Sequence, residues 1–247
     1  MISDIIILFL VAFGTGILAI YIPKVSNDRY KLLLVFAGSY LFSITVIHIL
    51  PELFHTAAEP SLVGIFVLIG FFLQQSLEFF SSGVEHGHIH IHSKGHRHAE
   101  SSAWIVLVAL FAHSFLEGGL LAHPRAMGHH HDSDTLLWGI ALHKAPEAFA
   151  LMSVLLCEVS KKWKAVALLI IFALASPLGL FFSDFLLAND WMSSRAFTLL
   201  FALVSGNFLH ISTTIVFESS LDHKFNARKM GVALLGAAIA IGMELFS

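Results

Sequence analysis

The chain has 247 residues, 57% of them apolar, with 14 Lys+Arg, 17 Asp+Glu, a formal charge of −3 and a mean hydropathy of +0.81. Charged residues make up 13% against about 25% in soluble domains, which leaves too little polar surface to cover a globule in water. Disorder, which needs low hydrophobicity and high net charge, and nucleic-acid binding, which needs a basic footprint, are excluded too.

A single cysteine, Cys157, rules out a disulfide framework or a Cys-type zinc knuckle. What remains is an integral membrane protein whose 16 histidines outnumber its Lys+Arg.

A transmembrane helix needs about 20 mostly apolar residues. Eight such stretches follow one another, near residues 3–22, 31–54, 61–82, 102–122, 135–158, 163–187, 191–218 and 229–246. Unbroken apolar runs at 32–36 and 168–171 do not alternate as membrane-barrel strands do, so an all-α protein forming one domain over 1–247 is predicted. Asp4 and the absence of a basic residue before the first apolar run predict a retained helix rather than a signal peptide.

Lys and Arg accumulate in short cytoplasmic loops. With the N-terminus outside, the inner loops hold Lys24, Arg29, Lys31, Lys94, Arg97, Lys161, Lys162, Lys164, Lys224, Arg228 and Lys229, and the outer loops only Arg125 and Arg195. Both termini are therefore expected outside. The remaining cation, Lys144, falls inside the fifth stretch.

Two loops are rich in histidine. His86, His88, His90, His92, His96 and His98 lie in the loop spanning 85–100, and His123, His129, His130 and His131 lie between the fourth and fifth stretches. Such tracts read compositionally as metal capture, because neutral imidazole is a common ligand. The plain alternative is a polar loop of biased composition.

The sharper signal is within the membrane, where ionisable groups are rare and mark pathways or sites. His113-Ser114-Phe115-Leu116-Glu117 and His143-Lys144-Ala145-Pro146-Glu147 each hold a His and a Glu at i and i+4, about 40° apart on one helix face. Facing one another, they offer two imidazoles and two carboxylates, a set that suits zinc or ferrous iron. A charged side chain at a helix centre costs roughly 2.5–3.5 kcal/mol on insertion scales, so two carboxylates need a neutralising partner such as a divalent cation. The competing reading is a His–Glu hydrogen bond that joins helices.

These two motifs resemble the fourth- and fifth-helix signatures of the ZIP (Zrt-, Irt-like protein) metal transporters. His48-Ile49-Leu50-Pro51-Glu52 resembles the family's second-helix pattern, and Glu78 stands where many members keep a third-helix Glu.

The resemblance implies eight helices, with helices 1–3 and 6–8 as inverted repeats around helices 4–5. It also implies His113, Glu117, His143 and Glu147 as transport-site ligands, and a homodimer. Members that bind a second metal use an Asn, an Asp and a Glu at positions that here are Ser114, Lys144 and Ser176, so one metal is expected, with Lys144 supplying the missing positive charge. A snorkelling Lys144 is the alternative.

The seventh-helix stretch Gly206-Asn207-Phe208-Leu209-His210 through Glu218 also resembles the family, but an acidic residue common mid-motif is replaced near Thr214 or Ile215. Glu218 either serves a cytoplasmic relay or caps the helix. His48 and Glu52 either line the pathway with His210 and Glu218 or form a structural hydrogen bond. Asp184 and Glu244, near helix ends, are expected to be solvated.

Pro51, Pro146 and Pro177 each free a carbonyl four residues back. Gly118-Gly119 and Gly14-Thr15-Gly16 suit close helix packing, whereas Gly64 and Gly70 read as general composition.

The resulting expectation is a multi-pass transporter of the cell membrane, the inner membrane if the host is bacterial, moving a divalent cation inward by alternating access. Zinc is the first candidate, with iron or manganese possible. The metal is cargo rather than cofactor, and the protein is not an enzyme. The alternatives are a membrane-embedded zinc-dependent hydrolase, which lacks its usual pair of His flanking a Glu, and a metal exporter, for which six helices and a soluble domain would be expected.

Overall fold

The computed structural model describes residues 1–22, 27–81, 99–122, 130–218 and 226–246, with side chains described in these stretches except at 27–30, 80–81, 99–103, 130–134, 217–218 and 246. His86, His88, His90, His92, His96, His98, His123 and His129 lie outside the described residues, as do the side chains of His130, His131 and Glu218.

The described residues are helical, with no strand among them. They comprise α1 (Ile2–Tyr21), α2, α3 (Pro60–Ser81), α4 (Ala99–Leu120), α5 (His130–Glu158), α6 (Lys162–Ala188), α7 (Ser194–Glu218) and α8 (Ala227–Phe246). Helix α2 runs over Asn27–Ile44, passes through a π-helical turn at Thr45–Ile49 and continues over Leu50–Thr56.

Local chemistry explains several boundaries. Asn226 Oδ1 accepts from the backbone N–H of Arg228 and Lys229 at 3.1 and 3.2 Å, satisfying orphan donors at the start of α8. Ser193 Oγ does the same for Ala196 at 3.2 Å before α7. Pro60 opens α3, where a missing N–H costs nothing.

Pro51 is met differently from the bend its carbonyl count suggests. In the π-helical turn, Leu50 N–H donates to Thr45 O, one residue further back than in an α-helix. Pro51 then falls in the first turn of the resumed helix. Pro146 and Pro177 lie inside α5 and α6, which run on through them.

Six stretches are long and apolar enough to cross a membrane: Ile2–Tyr21, Lys31–Thr56, Pro60–Phe79, Thr135–Glu158, Lys162–Ala188 and Ser194–Val216. In α4 the apolar part, Trp104–Leu120, is shorter. Helix α8, with Arg228, Lys229 and Glu244 in its 20 residues, is not among the six.

The outside of the bundle is apolar, with Leu10, Leu68, Phe72, Phe181 and Leu234 exposed, while His113, Glu117, His143, Lys144 and Glu147 are buried. Apolar outside and ionisable inside is the arrangement a lipid solvent selects.

Helix pairs assemble as α3 with α7, α2 with α8, α1 with α5 and α4 with α6; α1 also packs on α6, and α2 on α7 and α5. Glycines permit the closest crossings. A Cβ on Gly118 would collide with Ser176 backbone, and one on Gly179 with Phe115 O, so α4 and α6 touch main chain to main chain.

Gly70, read from sequence as general composition, is instead a crossing point: its Cβ would strike Leu203 O on α7, and a Cβ on Gly206 would strike Val67 O on α3. Gly16 faces the Leu169 side chain, whereas a methyl on Gly14 meets nothing within 4 Å.

Overpacking a tight interior costs about 1–3 kcal/mol. Gly179→Ala is expected to lower the thermal unfolding midpoint of the detergent-solubilised protein accordingly, and Gly14→Ala to leave it unchanged.

Candidate metal centre

The periodicity of α4 and α5 brings three ligand types to one point. His113 and Glu117 project from one face of α4, and His143 from α5, all with 0% relative exposure. One ligand atom from each of these three lies within 4.8 Å of the others. His113 Nε2 is 2.8 Å from Glu117 Oε1, His143 Nε2 is 3.9 Å from the same oxygen, and the imidazole rings stand nearly perpendicular with centroids 6.0 Å apart.

Among the described residues, His113 Nδ1 and Nε2 and Glu117 Oε1 have no hydrogen-bond partner, although His113 Nε2 and Glu117 Oε1 are within ordinary hydrogen-bond distance. Two imidazole nitrogens and a carboxylate oxygen gathered around one point are a donor set that suits a divalent cation, and buried polar atoms left unpaired are costly.

Lys144 decides the other half of the site. It is 1% exposed, so it does not snorkel. Its Nζ donates to Glu117 Oε2 at 2.5 Å, Glu147 Oε2 at 2.9 Å and Ser114 Oγ at 2.6 Å, and lies 5.4 Å from the centroid of the Phe172 ring on α6.

Glu117 is thereby divided, with Oε1 toward the two imidazoles and Oε2 on the ammonium. Ser176 Oγ donates to Ser114 O at 2.9 Å. Ser114, Lys144 and Ser176, singled out together from sequence, thus form one connected group beside the His–Glu–His cluster.

Glu147, the fourth expected ligand, is buried but stands outside that cluster. Its Oε2 is held by Lys144, and its Oε1 has no hydrogen-bond partner among the described residues.

The remaining candidates form two separate groups. On α2, His48 Nε2 is 3.8 Å from Glu52 Oε2, and His48 Nδ1 is 3.0 Å from Glu244 Oε1 on α8. Glu244, expected to be solvated at its helix end, is therefore paired. On α7, His210 Nε2 lies 2.7 Å from Glu78 Oε2 of α3, and Ile215 packs on Gly38 of α2.

Two buried amides lie on the α3–α7 seam, of which Asn207 belongs to the seventh-helix motif and Gln74 was missed by sequence reasoning. Asn207, with its amide nitrogen facing the carbonyls, donates to Gly70 O at 2.7 Å and Leu203 O at 3.3 Å. Gln74 is fully buried, and neither of its amide atoms has a hydrogen-bond partner among the described residues. The signal was available, because Gly70, Gln74 and Glu78 recur every four residues along one face.

Compared with known families, residues 81–244 match the family model described as ZIP Zinc transporter. The match spans more than half of the chain and includes the His–Glu–His cluster, Lys144 and Glu147. No curated protein matches the chain.

Removing one partner of a buried ion pair costs about 3–5 kcal/mol because it strands the other charge. Lys144→Met is expected to destabilise the metal-free protein on that scale, with much of the loss recovered in Lys144→Met/Glu147→Gln. Thermal unfolding of both variants beside the parent measures this.

Proposed function

Because the chain belongs to the ZIP zinc transporter family, we propose that it moves a divalent metal cation inward across the membrane through a single site built from His113, Glu117, His143 and Glu147. The observation that carries this reading is the buried His113–Glu117–His143 cluster, which brings two imidazole nitrogens and a carboxylate oxygen within 4.8 Å of one another. Zinc is the first candidate by donor set, with two imidazoles and carboxylate oxygen; iron and manganese are the alternatives.

The proposed mechanism is alternating access. The ion leaves water at the outer mouth, where His129, His130 and His131 attract it, and exchanges its hydration shell for the four ligands. It then passes inward to the loop that carries His86, His88, His90, His92, His96 and His98, with His210 and Glu218 on the way. Glu147, in this reading, leaves Lys144 to complete the shell when metal arrives. Lys144, held by Glu117, Glu147 and Ser114, occupies by charge the place of a second ion, so one cation is carried per site.

The packing supports inverted repeats. The pair α2–α8 corresponds to α7–α3, and α1–α5 to α6–α4, when helices 1–3 and 6–8 are exchanged. In α3, Gly70 crosses α7 closely and Glu78 pairs with a His of α7; in α8, Gly236 crosses α2 closely and Glu244 pairs with a His of α2. The Gly-to-Glu spacing is eight residues in both helices. Repeats flanking a midplane site are a recurrent transporter plan.

With eight spans, both termini lie outside a cell membrane, and the homodimer implied by the family belongs to the same reading.

Uptake of Zn²⁺, Fe²⁺ and Mn²⁺ into proteoliposomes is expected to collapse in His113→Ala and Glu147→Ala; unchanged flux in both removes the proposed site. Equilibrium binding to a variant lacking both His-rich loops is expected to give one high-affinity ion per chain, and two ions would overturn the role given to Lys144.

A further inference from the structure

The ends of α2 and α8 carry a second His–carboxylate assembly, built on different helices from the central one. His48 sits in the π-helical turn Thr45–Ile49, Glu52 follows on the same face, and Glu244 arrives from α8.

The two imidazole nitrogens of His48 face unlike surroundings. Nδ1 is 3.0 Å from Glu244 Oε1, so the neutral tautomer that donates to this carboxylate carries its lone pair on Nε2. That lone pair faces Glu52 Oε2 at 3.8 Å, too long for a hydrogen bond. Two atoms each ~2.1 Å from a zinc-like ion at the tetrahedral angle stand about 3.4 Å apart, so the gap fits two ligands of one cation. A carboxylate that fixes the far nitrogen of a ligating imidazole is the usual outer partner of a metal-bound His.

The counterpart on α3 and α7 pairs His210 Nε2 with Glu78 Oε2 at 2.7 Å, as His48 pairs with Glu244, but one turn further along it has Thr214 where α2 has Glu52. The α2–α8 group is also partly open, with side-chain exposures of 14% for His48, 22% for Glu52 and 29% for Glu244. Such partial exposure leaves room beside the two side chains for further ligands of a cation.

We propose that His48 Nε2 and Glu52 form a second divalent-cation site, separate from the central cluster, with Glu244 as the positioning residue that holds the imidazole. Two protein ligands with water make a weak site, which suits an ion that must move on. Its use as a way station at the outer mouth rests on the transport reading, whereas the binding itself does not.

Anomalous scattering at the zinc edge from crystals of the full chain equilibrated with a series of Zn²⁺ concentrations tests this. A peak is expected within bonding distance of both His48 Nε2 and Glu52, retained in His113→Ala and lost in Glu52→Gln. Glu244→Gln is expected to raise the Zn²⁺ needed for half occupancy about 10–100-fold. Unchanged thermal unfolding of the metal-free variants excludes a loss of fold as the cause, and His48→Gln carries the same expectation should Glu52→Gln fail to fold.

Absence of the outer peak while the central site fills overturns the proposal. Occupancy unchanged in Glu244→Gln overturns the part given to that residue. An outer peak with an empty centre supports this site and counts against the transport reading alone.

Discussion

The structure turns on one cation held between two carboxylates in a low-dielectric interior. Lys144 reaches Glu117 and Glu147 from α5, and each of the three is fully buried or nearly so. Unpaired, any of them would be too costly to keep away from water. Because Lys144 engages Oε2 of Glu117, it leaves Oε1 to the two imidazoles. Lys144 thus offsets one of the two buried carboxylate charges and orients Glu117.

Such a pair requires α4, α5 and α6 to approach closely, and the packing supplies that. Glycines at 118 and 179 let α4 and α6 meet main chain to main chain. Ser176 then reaches Ser114 O, and Phe172 comes beside the ammonium. A methyl at these glycines would push the helices apart and lengthen contacts whose strength depends on short distances. The site's electrostatics and the crossing of small residues are therefore one constraint.

Two further seams frame this core. Along α3–α7 run the Gly70 and Gly206 crossings, the Asn207 amide and the His210–Glu78 pair. Along α2–α8 run the Gly236 crossing, Tyr40, whose hydroxyl lies 3.3 Å from Thr135 O and 3.2 Å from Met243 Sδ, and the His48–Glu244 pair. Likeness between the seams follows from alternate use of the same devices, a small residue for approach and an ionisable pair for register. They differ in that α2 carries Glu52 one turn after His48, where α7 carries Thr214 one turn after His210.

What the sequence determined by itself was what depends on neighbours along one helix. Composition and apolar run length set the all-helical class, and the i, i+4 spacing put His113 with Glu117 on one face. Motif resemblance picked out Ser114, Lys144 and Ser176 together, and their hydrogen bonds connect them in the fold. Tertiary structure alone decided which helices face each other. It turned Lys144 inward rather than to a headgroup, drew Glu147 to Lys144 and away from the His–Glu–His cluster, made Gly70 a crossing point and paired Glu244 with His48. Helical periodicity states which side chains share a face, but the partner of that face is set by how closely two backbones can approach, and that is a property of the packed bundle.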